Sequence, residues 1–151
     1  GHVEQIGTSD DLYRRPCNSF VANFIGKMNF FHATMVGSLK ASIVGTNVAL
    51  EISPERDFRK EDNPDVLVGA RPEQLIVSKD GDASMIPGTV TILQHLGQVI
   101  RYAVEIDAAI SSQILEIDMP FLLPDVRERD HVLVSFKPGL ASLFSDEATH
   151  E

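Results

Sequence analysis

Apolar residues change their period at Asn29. Before it, Phe20, Val21, Phe24 and Ile25 recur at i, i+1, i+4 and i+5, which is one face of a helix. After it the spacing becomes two. Ile100, Tyr102, Val104 and Ile106 alternate with Val99, Arg101, Ala103 and Glu105. Thr89-Val90-Thr91-Ile92 and His131-Val132-Leu133-Val134-Ser135-Phe136 do the same. A spacing of two sends successive side chains to opposite faces, so this part buries its apolar set only by forming sheets.

Further strands are predicted at Phe31 to Val36, Ala41 to Val44, Val48 to Ile52, Val66 to Ala70, Leu75 to Val77 and Gln113 to Ile117. Turn chemistry separates them at Gly45-Thr46-Asn47, Lys79-Asp80-Gly81-Asp82, Pro87-Gly88, Leu96-Gly97-Gln98 and Pro138-Gly139. Many short strands with such punctuation predict a mainly β fold, a small OB-like barrel or sandwich. Residues 54–64 and 119–130 read as loops, and residues 145–151 as a fraying acidic tail.

The first 28 residues predict a short strand and two helices. Thr8 and Asp11 resemble a capping box, and the helix carrying Leu12 and Tyr13 stops near Pro16. Asn18 serves as an N-cap and Gly26 as a left-handed C-cap for the second helix. Its greasy face is too small to enclose a core, so it must pack on something else. The expected organisation is 1–28, 29–144 and 145–151.

At 151 residues the chain is long enough for one core. Its 22 acidic residues exceed the 13 basic ones, for a net charge of -9. Nonspecific nucleic-acid or anionic-lipid binding needs clustered Lys and Arg, which are lacking, so no nucleic-acid partner is expected. Cys17 is the single cysteine, which excludes an intrachain disulfide and a multi-cysteine zinc site. No apolar run is long enough for a spanning helix, and the first residues do not read as a signal peptide.

Catalytic signatures are missing. Gly26-Lys27 has Val21 where a phosphate loop needs its first glycine and Met28 where it needs a hydroxyl. There is no G-x-S-x-G elbow and no H-E-x-x-H. The five histidines form no local metal pair. No catalytic or metal residue is therefore assigned, and no cofactor is expected in this chain.

Three segments together resemble a family. Gly1-His2-Val3-Glu4-Gln5-Ile6-Gly7-Thr8 through Leu12-Tyr13, then Pro16, Phe20-Val21-Ala22-Asn23-Phe24-Ile25-Gly26 and Asn29, resemble the end of the nucleotide-binding domain of ATP-binding-cassette import ATPases. Val68-Gly69-Ala70-Arg71-Pro72-Glu73-Gln74-Leu75 is similar to that family's (V/I)-R-P-E-x-(I/L) segment. Val90 to Glu105, with Leu96-Gly97 inside, and Leu143-Phe144 resemble the transport-associated OB domain that follows the ATPase. Ser9 stands where the family usually has proline, which removes a preset φ but keeps capping ability.

The resemblance implies the C-terminal part of a longer importer subunit. ATP and magnesium would be bound by the ATPase domain, outside this chain. The implied partners are that ATPase domain, a second copy in a homodimer, membrane permease subunits and a small-molecule or protein effector. The implied location is the cytoplasmic face of the membrane. The pattern is most like the subfamily of polyamine, iron and sugar importers, and polyamine is slightly preferred among these solutes, from resemblance alone. Arg71, Glu73, His95 and Gly97 are the candidate contact residues. Phe20, Val21, Phe24 and Ile25 are the candidates for packing on the ATPase domain.

Plainer readings stand beside these. Arg71-Pro72-Glu73 is also a strand-to-turn junction, Gly97 a hairpin glycine, and His95 an ordinary hydrogen-bonded histidine. A free-standing OB-like ligand binder is the rival to the importer reading. An OB nucleic-acid module is opposed by the charge, and a small β enzyme lacks a catalytic constellation.

Overall fold

The computed structural model describes residues 27–107 and 112–146. Alternation from Asn29 onward becomes ten strands: β1 (Asn29–Gly37), β2 (Lys40–Ile43), β3 (Ala49–Glu51), β4 (Asp65–Ala70), β5 (Leu75–Ser78), β6 (Ile86–Leu96), β7 (Val99–Asp107), β8 (Ser112–Met119), β9 (His131–Phe136) and β10 (Ser142–Ser145). They form two five-stranded sheets, ordered β10-β4-β1-β2-β3 and β5-β9-β6-β7-β8. Every strand pairing is antiparallel. In the second sheet the outer strands β5 and β8 touch, so it curls toward a barrel. The fold is mainly β and OB-like, as the periodicity predicts.

Register decides what is buried. Phe31, Val68 and Leu143 share one row across β1, β4 and β10. Directly opposed residues point the same way, and these three are 1%, 0% and 0% exposed. In the second sheet Tyr102 pairs with Ile117 and Val104 with Leu115, and all four are fully buried. The inward rows of both sheets join in one core. The Tyr102 hydroxyl accepts the Leu123 N–H at 2.9 Å, which satisfies it inside that core.

The next row points the other way. His32, Leu67 and Phe144 are in register on the outer face of the first sheet. Met28, Phe30, Phe58, Leu67 and Phe144 form a second apolar cluster there. Phe58 stacks on Phe144 with ring centres 5.6 Å apart, and Phe30 meets Phe144 edge-on at 6.0 Å. Gly69 makes this possible. A Cβ at that position would lie 2.6 Å from the Met28 sulfur and 2.8 Å from the Phe144 ring.

Two local expectations need correction, and one strand was not predicted. Pro87-Gly88 is part of β6 rather than a turn. β6 pairs with β7 only from Gly88 onward, so on that side Pro87 needs no donor. Gly88 lies so close to β7 that a Cβ would come within 2.5 Å of Val104 and 2.9 Å of the Glu105 carbonyl. Leu143-Phe144 is the middle of a strand, which periodicity alone does not show in four buried residues. Ser145, read as the start of a tail, ends that strand, and Asp146 after it is buried.

Candidate functional site

The candidate contact residues fall in two places. Arg71 and Glu73 lie where β4 passes through a 3-10 turn, Pro72–Gln74, into β5. Pro72 presets the first turn residue, and Gln74 closes the turn twice. Its side-chain oxygen accepts the Arg71 N–H at 2.7 Å, and its own N–H donates to the Arg71 carbonyl at 2.9 Å. The strand-to-turn reading therefore describes the backbone here. The two charged side chains differ. Arg71 is 2% exposed, whereas Glu73 is exposed.

Arg71 is spent on the incoming chain. Its Nη1 donates to the Lys27 carbonyl at 3.2 Å. The Lys27 ammonium approaches the Glu116 carboxylate on β8 at 3.9 Å. Two residues later, Asn29 donates to the carbonyls of Ala70 at 3.1 Å and Glu116 at 2.9 Å, and accepts the Glu116 N–H at 2.8 Å. Gln113 donates to the Phe30 carbonyl. So the first described residues are held by both sheets at once.

A row of charges continues from this junction across the second sheet. Arg101 on β7 is opposite Asp118 on β8. Its guanidinium grips that carboxylate with two bonds, Nε to Oδ1 at 2.7 Å and Nη2 to Oδ2 at 2.9 Å. Its remaining nitrogen is 3.4 Å from Glu116. The hydrogen bonds that Arg101 donates to Asp118, then the charges of Asp118, Glu116 and Glu73, hold the Arg101 guanidinium above the ordinary arginine range. Lys27, Glu116, Arg101 and Asp118 thus form one chain of contacts between basic and acidic side chains.

His95 and Gly97 are elsewhere, at the far end of the β6–β7 hairpin. Gly97 has φ +67 at the first turn position, and no atom lies within 4 Å of where its Cβ would be. His95 is exposed and opposite Ile100. The structure does not bring this hairpin end into one pocket with Arg71. A cleft of about 410 Å³ is lined in part by Thr46, Asn47, Asp82 and Met85, and none of the four candidates lines it. Among the described residues no group of three His, Cys, Asp or Glu side chains could hold a metal ion. Phe20, Val21, Phe24 and Ile25 lie outside the described residues.

Sequence reading missed Gln113, Glu116 and the Arg101–Asp118 pair, and named Asn29 only as part of a motif. Their signal is register: Arg101 and Asp118 are 17 positions apart and meet only once β7 and β8 are aligned.

Residues 68–144 match the TOBE domain family. The chain belongs to that family. It is similar to the alpha-glucoside transport ATP-binding protein AglK of Rhizobium meliloti, 36% identical over 70% of this chain and 30% of that one. It is similar to the spermidine/putrescine import ATP-binding protein PotA of Nitrosomonas eutropha, 31% identical over 76% of this chain and 33% of the relative. An uncharacterized ABC transporter ATP-binding protein of Sinorhizobium fredii, y4oS, is 32% identical over 95% of this chain and 37% of the relative. This TOBE chain therefore spans about a third of the length of the curated relatives it matches. Among solved structures it resembles the cytoplasmic molybdate-binding protein ModG, with TM-score 0.52, covering 78% of this chain and 95% of that one. At 12% identity that likeness shows the fold alone. No helix among the described residues is long and apolar enough to cross a membrane.

Proposed function

We propose that this chain is the accessory regulatory domain of the ATP-binding subunit of a solute importer and is not catalytic by itself. One observation carries the reading. The alignment with an ABC transporter ATP-binding protein runs over 149 residues, so it spans the helical-period segment and the β domain together. The absence of phosphate-loop residues in the chain fits a division in which ATP and magnesium bind elsewhere in the subunit.

The geometry suggests how such a domain would work. Movement of an upstream ATPase domain would reach the TOBE fold through residues 27–30. Arg71, Asn29, Gln113 and Glu116 hold that stretch to both sheets, so a pull there moves the domain as a body rather than fraying its first strand. A homodimer of such subunits under permease partners, at the cytoplasmic face of the membrane, would use the domain as a stop or a brace between ATP cycles. An effector could shift that cycle only by its difference in affinity between the two arrangements. The relatives name spermidine/putrescine and alpha-glucoside systems. Polyamine remains the preferred solute.

The test is reconstitution of the complete subunit with its permease in vesicles. Removing residues 29–146 should abolish coupled uptake while ATP hydrolysis by the remaining part persists. Hydrolysis of ATP by this chain alone, or a parent gene that encodes no ATP-binding motifs, would overturn the proposal.

A further inference from the structure

The distal half of β6 is an open sheet edge. β9 covers β6 only from Ile86 to Thr89. Two backbone bonds, Arg129 N–H to Val90 and Val90 N–H to Asp130, carry that cover one residue further. Beyond them, from Ile92 to Leu96, β7 is the strand paired with β6 among the described residues, and it lies on one side. An uncovered edge presents N–H and C=O groups that template another strand.

Register tells which groups face out. Gly97-Gln98 is a two-residue turn, so Leu96 and Val99 form the bonded pair that closes the hairpin. Bonded and unbonded positions alternate along an antiparallel ladder. Ile92, Gln94 and Leu96 therefore aim their peptide groups at β7, and Leu93 and His95 aim theirs outward. The Leu93 N–H shows this phase directly, since it donates outward to the Glu128 carboxylate. At 3.3 Å, to an exposed glutamate, that bond is long for a charged acceptor and is easily displaced.

We propose that this edge pairs with the same edge of a second copy of the chain, antiparallel, about a two-fold axis through Gln94. Leu93 of each copy then opposes His95 of the other, and the outward backbone groups of both exchange hydrogen bonds. Ile92 of each copy opposes Leu96 of the other. These two are 51% and 43% exposed in the single chain, so the pairing covers them with each other. The self-match selects the occupant. Moving the axis to Leu93 or His95 sets Gln94 against Ile92 or Leu96 and loses the apolar pairs. Val90 is already bonded to Arg129 and Asp130, which ends the ladder at Ile92 and keeps the contact small. A contact of this size belongs with weak, transient interfaces. The inference names a surface for the homodimer of the proposed importer subunit and rests on that reading for its second copy.

A covalent trap tests it. Gln94→Cys in a Cys17→Ser chain sets two thiols at the axis, at an unbonded pair position with Cα atoms about 4.5 Å apart. Because that separation admits a disulfide, mild oxidation should give covalent dimer roughly tenfold faster than from Glu105→Cys, an exposed control on β7. Adding His95→Pro removes an outward donor and leaves the β7 ladder intact. Adding Ile92→Lys sets a cation against Leu96 of the other copy. Each should slow the cross-link roughly fivefold while the circular dichroism stays that of the parent. Should the proline unfold the hairpin, Ile92→Lys, at an exposed position, decides alone. Gln94→Cys oxidising no faster than Glu105→Cys overturns the proposal, as does a rate that these second substitutions leave unchanged in a folded chain. Coupled uptake by the complete subunit without any such dimer would remove this edge and leave the importer role standing.

Discussion

The side-chain amide of Asn29 and the peptide of Glu116 form a two-bond ring, with the Asn29 oxygen accepting at 2.8 Å and its nitrogen donating at 2.9 Å. This imitates one rung of a β ladder between strands of different sheets. Asn29 is 4% exposed, so neither partner can turn to water. Asn29→Ala removes the ring and leaves a buried N–H and carbonyl unpaired. A loss of about 2–4 kcal/mol follows from the cost of such groups. Urea unfolding should show a lower midpoint with an unchanged slope. A midpoint within error of the parent would refute the rung.

Two glycines separate crowding from backbone conformation. At Gly88 an added Cβ would lie 2.5 Å from Val104 and 2.9 Å from a backbone oxygen that has nowhere to move. Overpacking of this kind costs about 1–3 kcal/mol. At Gly97 the space is open, and only the φ of +67 resists a side chain. That strain is on the order of 1 kcal/mol. Gly88→Ala should therefore lower the thermal midpoint more than Gly97→Ala. The reverse order would show that β6 and β7 are not packed this closely.

How much of this was legible beforehand follows from the kind of contact. The row Ile100, Tyr102, Val104 and Ile106 announces a half-buried strand because alternation is local, and β7 appears there. Pro87-Gly88 misleads because its dipeptide signals a turn, whereas only strand pairing shows that Pro87 precedes the β7 ladder. β10 is invisible because Ser142, Leu143, Phe144 and Ser145 are all buried and so do not alternate in polarity. The Arg71-Pro72-Glu73 turn is readable from proline chemistry. The grip of Arg71 on Lys27 is not, since it joins residues 44 positions apart.

Acid should weaken one loop in a defined direction. Arg59 binds both oxygens of Asp57 at 2.9 Å. The hydrogen bond from Arg59 holds the Asp57 carboxyl below its ordinary 3.8. A depressed folded value means that the pair stabilises the fold fully above 3.8 and stops doing so as pH falls through the lower folded value. Asp57→Asn should thus differ from the parent by up to about 1 kcal/mol at pH 6 and converge with it in strong acid. Unfolding midpoints between pH 2 and 6 measure this, and a gap that widens on acidification would contradict the pairing.

The Arg101–Asp118 pair is partly shielded, with side chains 28% and 13% exposed, and its geometry is bidentate. Both features lift it above an ordinary surface ion pair. A double-mutant cycle with Arg101→Ala and Asp118→Ala should give a coupling of about 1 kcal/mol that declines in high salt. Glu116 complicates the single variants because it also faces Arg101 at 3.4 Å. Repeating the cycle in a Glu116→Gln background should leave the coupling at least as large. Zero coupling in both backgrounds would mean that the row contributes register without stability.

Arg71 and Glu73 belong to one short motif, yet their settings predict opposite outcomes. Arg71 is buried and donates to the Lys27 carbonyl, so Arg71→Ala removes both a packed side chain and a hydrogen bond to the entering chain. A cost of about 2–4 kcal/mol is expected from those two losses. Lysine should not restore it, because a single ammonium does not reproduce the planar donors of a guanidinium. Glu73 is exposed, and an exposed Glu73→Gln should change stability by less than about 0.5 kcal/mol. Chemical denaturation of the three variants decides the matter. If Arg71→Ala were as stable as the parent while Glu73→Gln lost several kcal/mol, the anchor would have to be reassigned from the arginine to the carboxylate.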